Sequence, residues 1–516
     1  MKLPPLGRTL WMALALAVAA PGAAHARHAA HAEGALRPGT EAVHWLRHDY
    51  GPWLTTGETE HWLELMARDP ASFFAGGIAL FEHDLAGAWA RFAEPPGPQV
   101  LRVGDAGVKN LGPMRDGRGQ GVFDWLSYDH AVKGGALNDV RALLVSLVLL
   151  GRELALDDSD VSGVLLETMR TYRDALERIT GTWVAREWAM TAERANPLVR
   201  RLLNAASHRR REDLLDRWTV VGHQGRRFKL EGEFAPVEPY QAQAWTAALL
   251  SMKTEARPAS YWLVKDSVVR SYDGTHRGPH HAVYLLIEGP TASLVDDFIL
   301  EATIPPQPAR YVQWAAWQAR RAPEPFFGVV NVGGQAYELR EVQPEEVAWS
   351  EADISGLDDV YDLGRAAALV LARQHAVTAA SAQEVRQFTA SWAADPRTIE
   401  SELGHFAFRY AEQVVADQIA LAAHFAPHHT IAHVIRRHHH THVAVDEAPS
   451  KPVKIFKPGE VAPPASAPDL PQHEGHKESA APKPAASPAG PPPAPATPAL
   501  PPPTPGTTLA PPDEGK

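Results

Sequence analysis

The chain has 516 residues, 45 % hydrophobic and 22 % charged, with a formal net charge of −11. The acidic balance argues against nucleic acid as a partner, and the length is more than one small core requires. No cysteine is present. Disulfides, thiolate metal ligands and a Cys nucleophile are therefore excluded, and packing alone must stabilise the fold.

Met1 to about Ala26 reads as a secretory signal. Lys2 and Arg8 give the positive start, Leu10 to Ala20 the apolar run, and Ala24-His25-Ala26 the cleavage site. That run is short for a bilayer span and no later segment is long and apolar enough. The expectation is an exported protein, periplasmic or secreted, with no transmembrane helix after cleavage. Residues 27–445 are expected to form the ordered region. Glu41 to Phe92 reads as helices, with Trp62, Leu63 and Met66 at helical spacing. A strand pair is expected around Leu101 and Phe123, then a buried helix over Asn138–Leu154 and further helices from Ser162 through Arg217.

The pattern changes near Tyr261. Tyr261–Val264, Ala282–Ile287 and Phe298–Leu300 read as strands, with Glu288-Gly289-Pro290 as turn residues before the third. Arg310–Arg321 reads as a helix, Phe327–Val332 and Ala336–Leu339 as a strand pair, and Leu357–Phe425 as helices. Residues 446–516 are rich in Pro and Ala, and cannot bury enough apolar surface to order themselves. This tail either reaches a partner through the envelope or merely solubilises the chain. The fold class expected is α+β: a helix-rich lobe (about 41–255), a strand-rich lobe with a small, mostly antiparallel sheet (about 258–345) and a helical end (about 354–442). Gly-x-Ser-x-Gly is absent along with Cys, which sets hydrolase chemistry aside.

One region suggests chemistry. Val103-Gly104-Asp105 is a short apolar strand delivering an Asp, and Asn110 follows five residues later. Gly121 to Asp129 then delivers two more carboxylates, Asp124 and Asp129. Kinase-type phosphotransfer uses such a layout: one Asp for the acceptor hydroxyl, an Asn and a further Asp for the metal.

Several stretches together resemble a known family. They are Pro70–Gly76, Gly104–Asn110, Val122-Phe123-Asp124 leading to Asp129-His130-Ala131, Asp139–Leu143, Leu371–Ala376 and Tyr410–Gln413. On their order and spacing, the chain from about Ala67 to Ala422 resembles the bacterial domain-of-unknown-function family 2252. The family's central motif is similar to the G-D-x-H-x-x-N segment of aminoglycoside and choline kinases. The resemblance implies a kinase-like fold in circularly permuted order, with the small lobe after the catalytic segment. It makes Asp105 the candidate base and Asn110 a candidate metal ligand. Gly107 stands where the motif has His, and Ser127 where the metal Asp is expected, flanked by Asp124 and Asp129 as substitutes. Strand parity implies that these two cannot both face as Ser127 does. The nucleotide lysine falls at about Leu300 and its partner Glu at about Gln313. Gly274 and Gly278 of the turn Tyr272–Gly278 are weak nucleotide-binding candidates.

Two further features stand apart. His424, His428, His429, His433, His438, His439, His440 and His442 form either a zinc, copper or nickel site or a solvated chain end. Arg200, Arg201, Arg209, Arg210 and Arg211, beside Glu212 and Asp213, form either a site for an anionic lipid or polymer or an ion-paired helix face. Two functional expectations follow. The first is a degenerate kinase-like module, a pseudoenzyme needing no cofactor, that binds an envelope protein or polymer. The second is a phosphotransferase using Mg and ATP, with Asp105 as base and an unknown hydroxyl as acceptor.

Overall fold

The computed structural model describes residues 37–425, apart from residues 51–55, 94, 224, 233, 238, 252–262, 271–281, 290–296, 305–314, 316–318, 324–325 and 347. The expected signal and tail, the histidines after His424, Gly274, Gly278, Gln313 and most of the expected Arg310–Arg321 helix lie outside the described residues.

The described residues are mixed helix and sheet, 57 % helical, with antiparallel sheets. Four helices open it: α1 (Gly39–Tyr50), α2 (Thr56–Met66), α3 (Pro70–Gly76) and α4 (Ile78–Ala86). Asp69 caps α3, accepting the Ser72 N–H at 2.7 Å, and Pro70 supplies a helix-ready first position. Two hairpin-like pairs follow. β1 (Gln99–Arg102) pairs with β4 (Val132–Gly135), and β2 (Leu111–Arg115) with β3 (Gly121–Trp125). The strands expected at Leu101 and Phe123 therefore exist but do not pair with each other. Their true partners are poor strand formers, Leu-Gly-Pro-Met-Arg and Val-Lys-Gly-Gly, tolerated because each pair has free edges.

α5 (Ala136–Glu153) is apolar around most of its circumference and sits in the main core. α6 (Asp158–Ile179), α7 (Trp183–Glu187), α8 (Pro197–Ser207) and α9 (Arg211–Trp218) follow, and α11 (Leu357–Thr378), α12 (Ala382–Ala394) and α13 (Pro396–Phe425) close the chain around the same core. Between them lies a six-stranded antiparallel sheet, in order β11-β12-β10-β9-β8-β7. It is built from β7 (Phe234–Pro236), β8 (Val264–Arg270), β9 (Ala282–Ile287), β10 (Phe298–Thr303), β11 (Gly328–Val332) and β12 (Gln335–Glu341). The β11–β12 turn is Gly333-Gly334, both at positive φ, a conformation that needs no Cβ. The sheet thus starts at Phe234, earlier than the change of pattern near Tyr261. Its first strand is three residues long and contains Pro236, too short a signal to read. The hairpin β5 (Thr219–Gly222) and β6 (Gly225–Phe228) and helix α10 (Pro239–Ser251) also escape the sequence reading.

Side chains of the sheet alternate between two cores, as strand geometry requires. Leu285, Ile287, Phe298, Leu300 and Ala302 pack with Trp245 and Leu249 of α10. Tyr284, Leu286 and Ile299 face the other way, onto Leu214, Leu215 and Trp218 of α9. This alternation decides which strand residues reach the site.

Candidate functional site

The loop after β1 is held by α5. Asp139, in the first turn of that helix, accepts the Val103 N–H at 2.7 Å and the Gly104 N–H at 3.2 Å. Its Oδ2 also lies 3.1 Å from His375 Nε2, and His375 Nδ1 lies 2.8 Å from the Tyr172 hydroxyl. Asp139 and His375 are fully buried. Gly104 sits at φ +81°, and a Cβ there would lie 1.9 Å from the His130 carbonyl oxygen. Only glycine fits, on both grounds.

Asp105 follows, 7 % exposed. Its Oδ1 accepts the Gly107 N–H at 3.3 Å. Burial pushes its pKa up to about 7, the Gly107 bond opposes this, and the negative charges of Asp129 and Asp139 add to it. Asp105 lines a small cavity of about 20 Å³, shared with Phe74, Gly107, Lys109, Ser146 and Glu153. That volume is about one water molecule.

Asn110 ties two segments together. Its amide donates to the Asp105 carbonyl at 2.8 Å and the Ser127 carbonyl at 3.0 Å, and its Oδ1 accepts the Ser127 N–H at 2.9 Å. The Ser127 hydroxyl accepts the Asp129 N–H at 3.1 Å. Asp105, Asn110, Ser127 and Asp129 are thus brought together. Asp124 is not among them: it lines a different cavity with Asp116, Arg320, Arg321 and Arg373. Asn110 is engaged by backbone on all its polar atoms. Among the described residues no group of three or more His, Cys, Asp or Glu is placed to hold a metal.

Leu300 is fully buried on the α10 side of the sheet, 0 % exposed and packed with Trp245 and Leu285. Its neighbour Glu301 points to the α9 side. There it stands opposite Tyr284 and Arg340 in the sheet register and bonds to both. Arg340 also donates to the Leu126 carbonyl at 3.3 Å and pairs with Glu346 at 3.0 Å. The buried charge on β10 is therefore an acid paired with a cation on β12.

A larger cleft of about 580 Å³ lies between this loop region and the α9 side of the sheet. Lys109, Asn110 and Leu126 form one wall, and Arg270, Tyr284 and Gln343 another. Arg209, Arg210, Asp213, Leu214, Arg217 and Trp218 supply the third. Asp105, Asp124 and Asp129 do not line it.

A family model described as an uncharacterised protein conserved in bacteria, domain of unknown function 2252, matches residues 60–423. The chain belongs to this family. No curated protein and no solved structure matches it. The stretches that signalled family 2252 are architectural in the structure. Besides Asp139 and His375, Gln374 donates to the Leu101 carbonyl at 3.1 Å, and Arg373 reaches the carbonyls of Ala185 and Ala319. Tyr410 donates to Asp84 at 2.8 Å, and Gln413 donates to Asp417 at 3.0 Å. Arg37 bridges Asp84 and Asp417.

The arginine run divides. Arg200 bonds the Ala192 and Ala195 carbonyls, Arg201 pairs with Asp359, and Arg211 pairs with Glu341 and stacks 3.8 Å over Phe298. Arg209 and Arg210 instead face the cleft. Sequence reading missed Arg217, Arg270 and Lys109 as their companions. The helical spacing 210, 213, 214, 217 was the signal available for the α9 wall. His424 lies 2.7 Å from Arg47 and 3.9 Å from Glu60.

Proposed function

We propose that this protein is an exported binding module of the bacterial cell envelope, built on a kinase-like frame in permuted order and without phosphotransfer chemistry. One observation carries the reading: the candidate base and the cleft do not meet. Asp105 lines a cavity the size of one water, while the 580 Å³ cleft has arginines on its walls and no assembled metal site. Lys109 and Asn110 line both spaces but Asp105 lines only the small one, so a hydroxyl acceptor seated in the cleft meets those two residues rather than the carboxylate. Leu300 supports the same reading. Where the kinase resemblance expects a nucleotide lysine, the chain packs a leucine, and the adjacent cleft-side residue is an acid already held by Tyr284 and Arg340.

The competing reading, phosphotransfer to an unknown hydroxyl, draws on one fact: Asp105 titrates at about 7, where a general base works best. One assay separates the two. The full-length protein is incubated with MgATP, and ADP is measured against time. The binding-module reading expects no magnesium-dependent ADP formation. Formation that vanishes in Asp105→Asn would overturn it. Export is checked separately by cell fractionation, with a cytoplasmic location refuting that part.

A further inference from the structure

We propose that the cleft binds an extended anion carrying at least two phosphoryl or carboxyl groups. The inference rests on the reading of the cleft as a binding surface and names its ligand class. The cleft wall carries five cations, Lys109, Arg209, Arg210, Arg217 and Arg270, against two carboxylates, Asp213 and Glu346. This local positive excess sits on a chain of net charge −11. Two of the five already have an acidic partner, Arg210 in Asp213 and Lys109 in Glu351, which leaves Arg209 and Arg217 as the excess. Glu346 is paired with Arg340 at 3.0 Å, and Asp213 faces Arg210 at 3.8 Å. Arg209 and Arg217 have no carboxylate partner among the described residues. Arg217 lies 5.6 Å from the Trp218 ring centre. A recess lined by one sign of charge with low-dielectric walls concentrates ligands of the opposite sign.

The arrangement sets the ligand's shape. Asp213, Leu214 and Arg217 share one face of α9, and Arg210 stands at the N-cap of the same helix. Arg210 and Arg217 are two turns apart, about 10 Å along the axis. With Arg270 and Lys109 on the other walls, the cations are spread through the cleft, and a chain of anionic groups engages more of them at once than a single phosphate does. Arg270 holds the far wall. It donates to the Tyr284 hydroxyl at 3.1 Å and lies 4.9 Å from the Trp218 ring centre. Through Tyr284 it connects to the buried Glu301, so its position is fixed before any ligand arrives. Guanidinium forks match phosphoryl and carboxyl oxygens equally well in geometry, so the shared chemistry is a repeated oxyanion.

The test is calorimetric titration of the full-length protein, without magnesium or nucleotide, with tripolyphosphate, with polyglutamate and with inorganic phosphate. The expected result is binding of at least one of the two chains, at least tenfold tighter than inorganic phosphate, and weaker as salt is raised. The double variant Arg209→Gln/Arg217→Gln should weaken it about tenfold, the effect of two solvent-screened charges. Arg397→Gln, an exposed arginine outside the cleft, should leave it unchanged. Which chain binds tells phosphoryl from carboxyl sources. Both cleft arginines are exposed, and an unshifted thermal melt confirms that the variant is folded. No heat with either chain overturns the proposal, as does binding that the double variant leaves intact. Turnover of MgATP would overturn the binding-module reading instead, so the two failures are distinguishable.

Discussion

Replacing Asp105 by Asn tests whether the carboxylate is stored in the fold at an energetic cost. Burial raises its pKa from 3.8 to about 7. At about 1.4 kcal/mol per pH unit, that rise corresponds to roughly 4 kcal/mol of lost native stability above pH 7. Local relaxation and a water in the adjoining cavity reduce this to about 2–4 kcal/mol. The sign follows from the direction of the shift. Below the unfolded pKa, Asp105 is protonated in both states and its contribution is fully present. As pH rises from about 4 through 7, the unfolded chain ionises first and the contribution is lost. Asn does not titrate. Urea unfolding of wild type and Asp105→Asn at several values between pH 4 and pH 8 therefore reads the effect as a difference that changes with pH. Any offset from swapping carboxyl for amide is constant and cancels. The wild type should fall behind the variant by about 2–4 kcal/mol across this range, and the gap should stay flat above it. A difference constant to within about 0.5 kcal/mol would show that Asp105 ionises normally in the folded protein, and the reasoning from its burial would collapse.

The other predictions concern the frame around the site. Leu300→Lys, which places a lysine where the kinase resemblance expects one, should destabilise by at least about 3 kcal/mol because it buries an unpaired ammonium among Trp245, Leu249 and Leu285. Equal urea midpoints for variant and wild type would place that position outside the core. Glu301→Ala removes one of the two carboxylates on Arg340, leaving Glu346, and the acceptor of the Tyr284 hydroxyl, and should cost about 2–3 kcal/mol, whereas Glu301→Ala with Arg340→Met should cost less than the two single changes summed. Simple additivity of the two would refute the pairing. Gly104→Ala must displace the His130 backbone and adopt a positive φ, so an unfolded or weakly folded product is expected. A native-like melt would contradict it.

Much of the fold was legible because its elements obey simple periods. The apolar run of α5 and the alternation of β9 read directly, β9 with the bounds observed. The strand pairing around Asp105 did not. Partner choice between β1 and β4 depends on tertiary packing, and Val-Lys-Gly-Gly has no strand signature of its own. At the site, sequence spacing brought Asp105 and Asn110 to notice but not what their side chains do. Asn110 looks the same in sequence whether it holds a metal or two carbonyls. The cleft was hidden for a different reason. Lys109, Arg217 and Arg270 come from three distant segments, and only the fold assembles them.

One geometric fact joins the loop to the cleft. The bonds from Asp139, the His375 and Tyr172 contacts behind it, and the three Asn110 bonds all immobilise residues 103–110. In a phosphotransferase such bracing would serve Asp105. The braced segment places Asp105 on the small cavity alone and Lys109 on both that cavity and the cleft. Lys109 is itself held in place, paired with Glu351 and lying 4.2 Å from the Trp349 ring centre, whose indole N–H donates to the Leu111 carbonyl at 3.0 Å. A long cationic side chain would otherwise lose rotamer freedom on meeting a ligand, and holding it beforehand removes that cost from the binding step. The same bracing therefore suffices to preorganise a binding wall. It follows that Asp139→Asn, which weakens the brace at a distance from the cleft, should loosen anion binding as well as lower stability. Lys109→Gln should loosen binding alone. If Asp139→Asn lowered the unfolding midpoint but left the affinity untouched, the loop and the cleft would be independent structures and this link between them would fail.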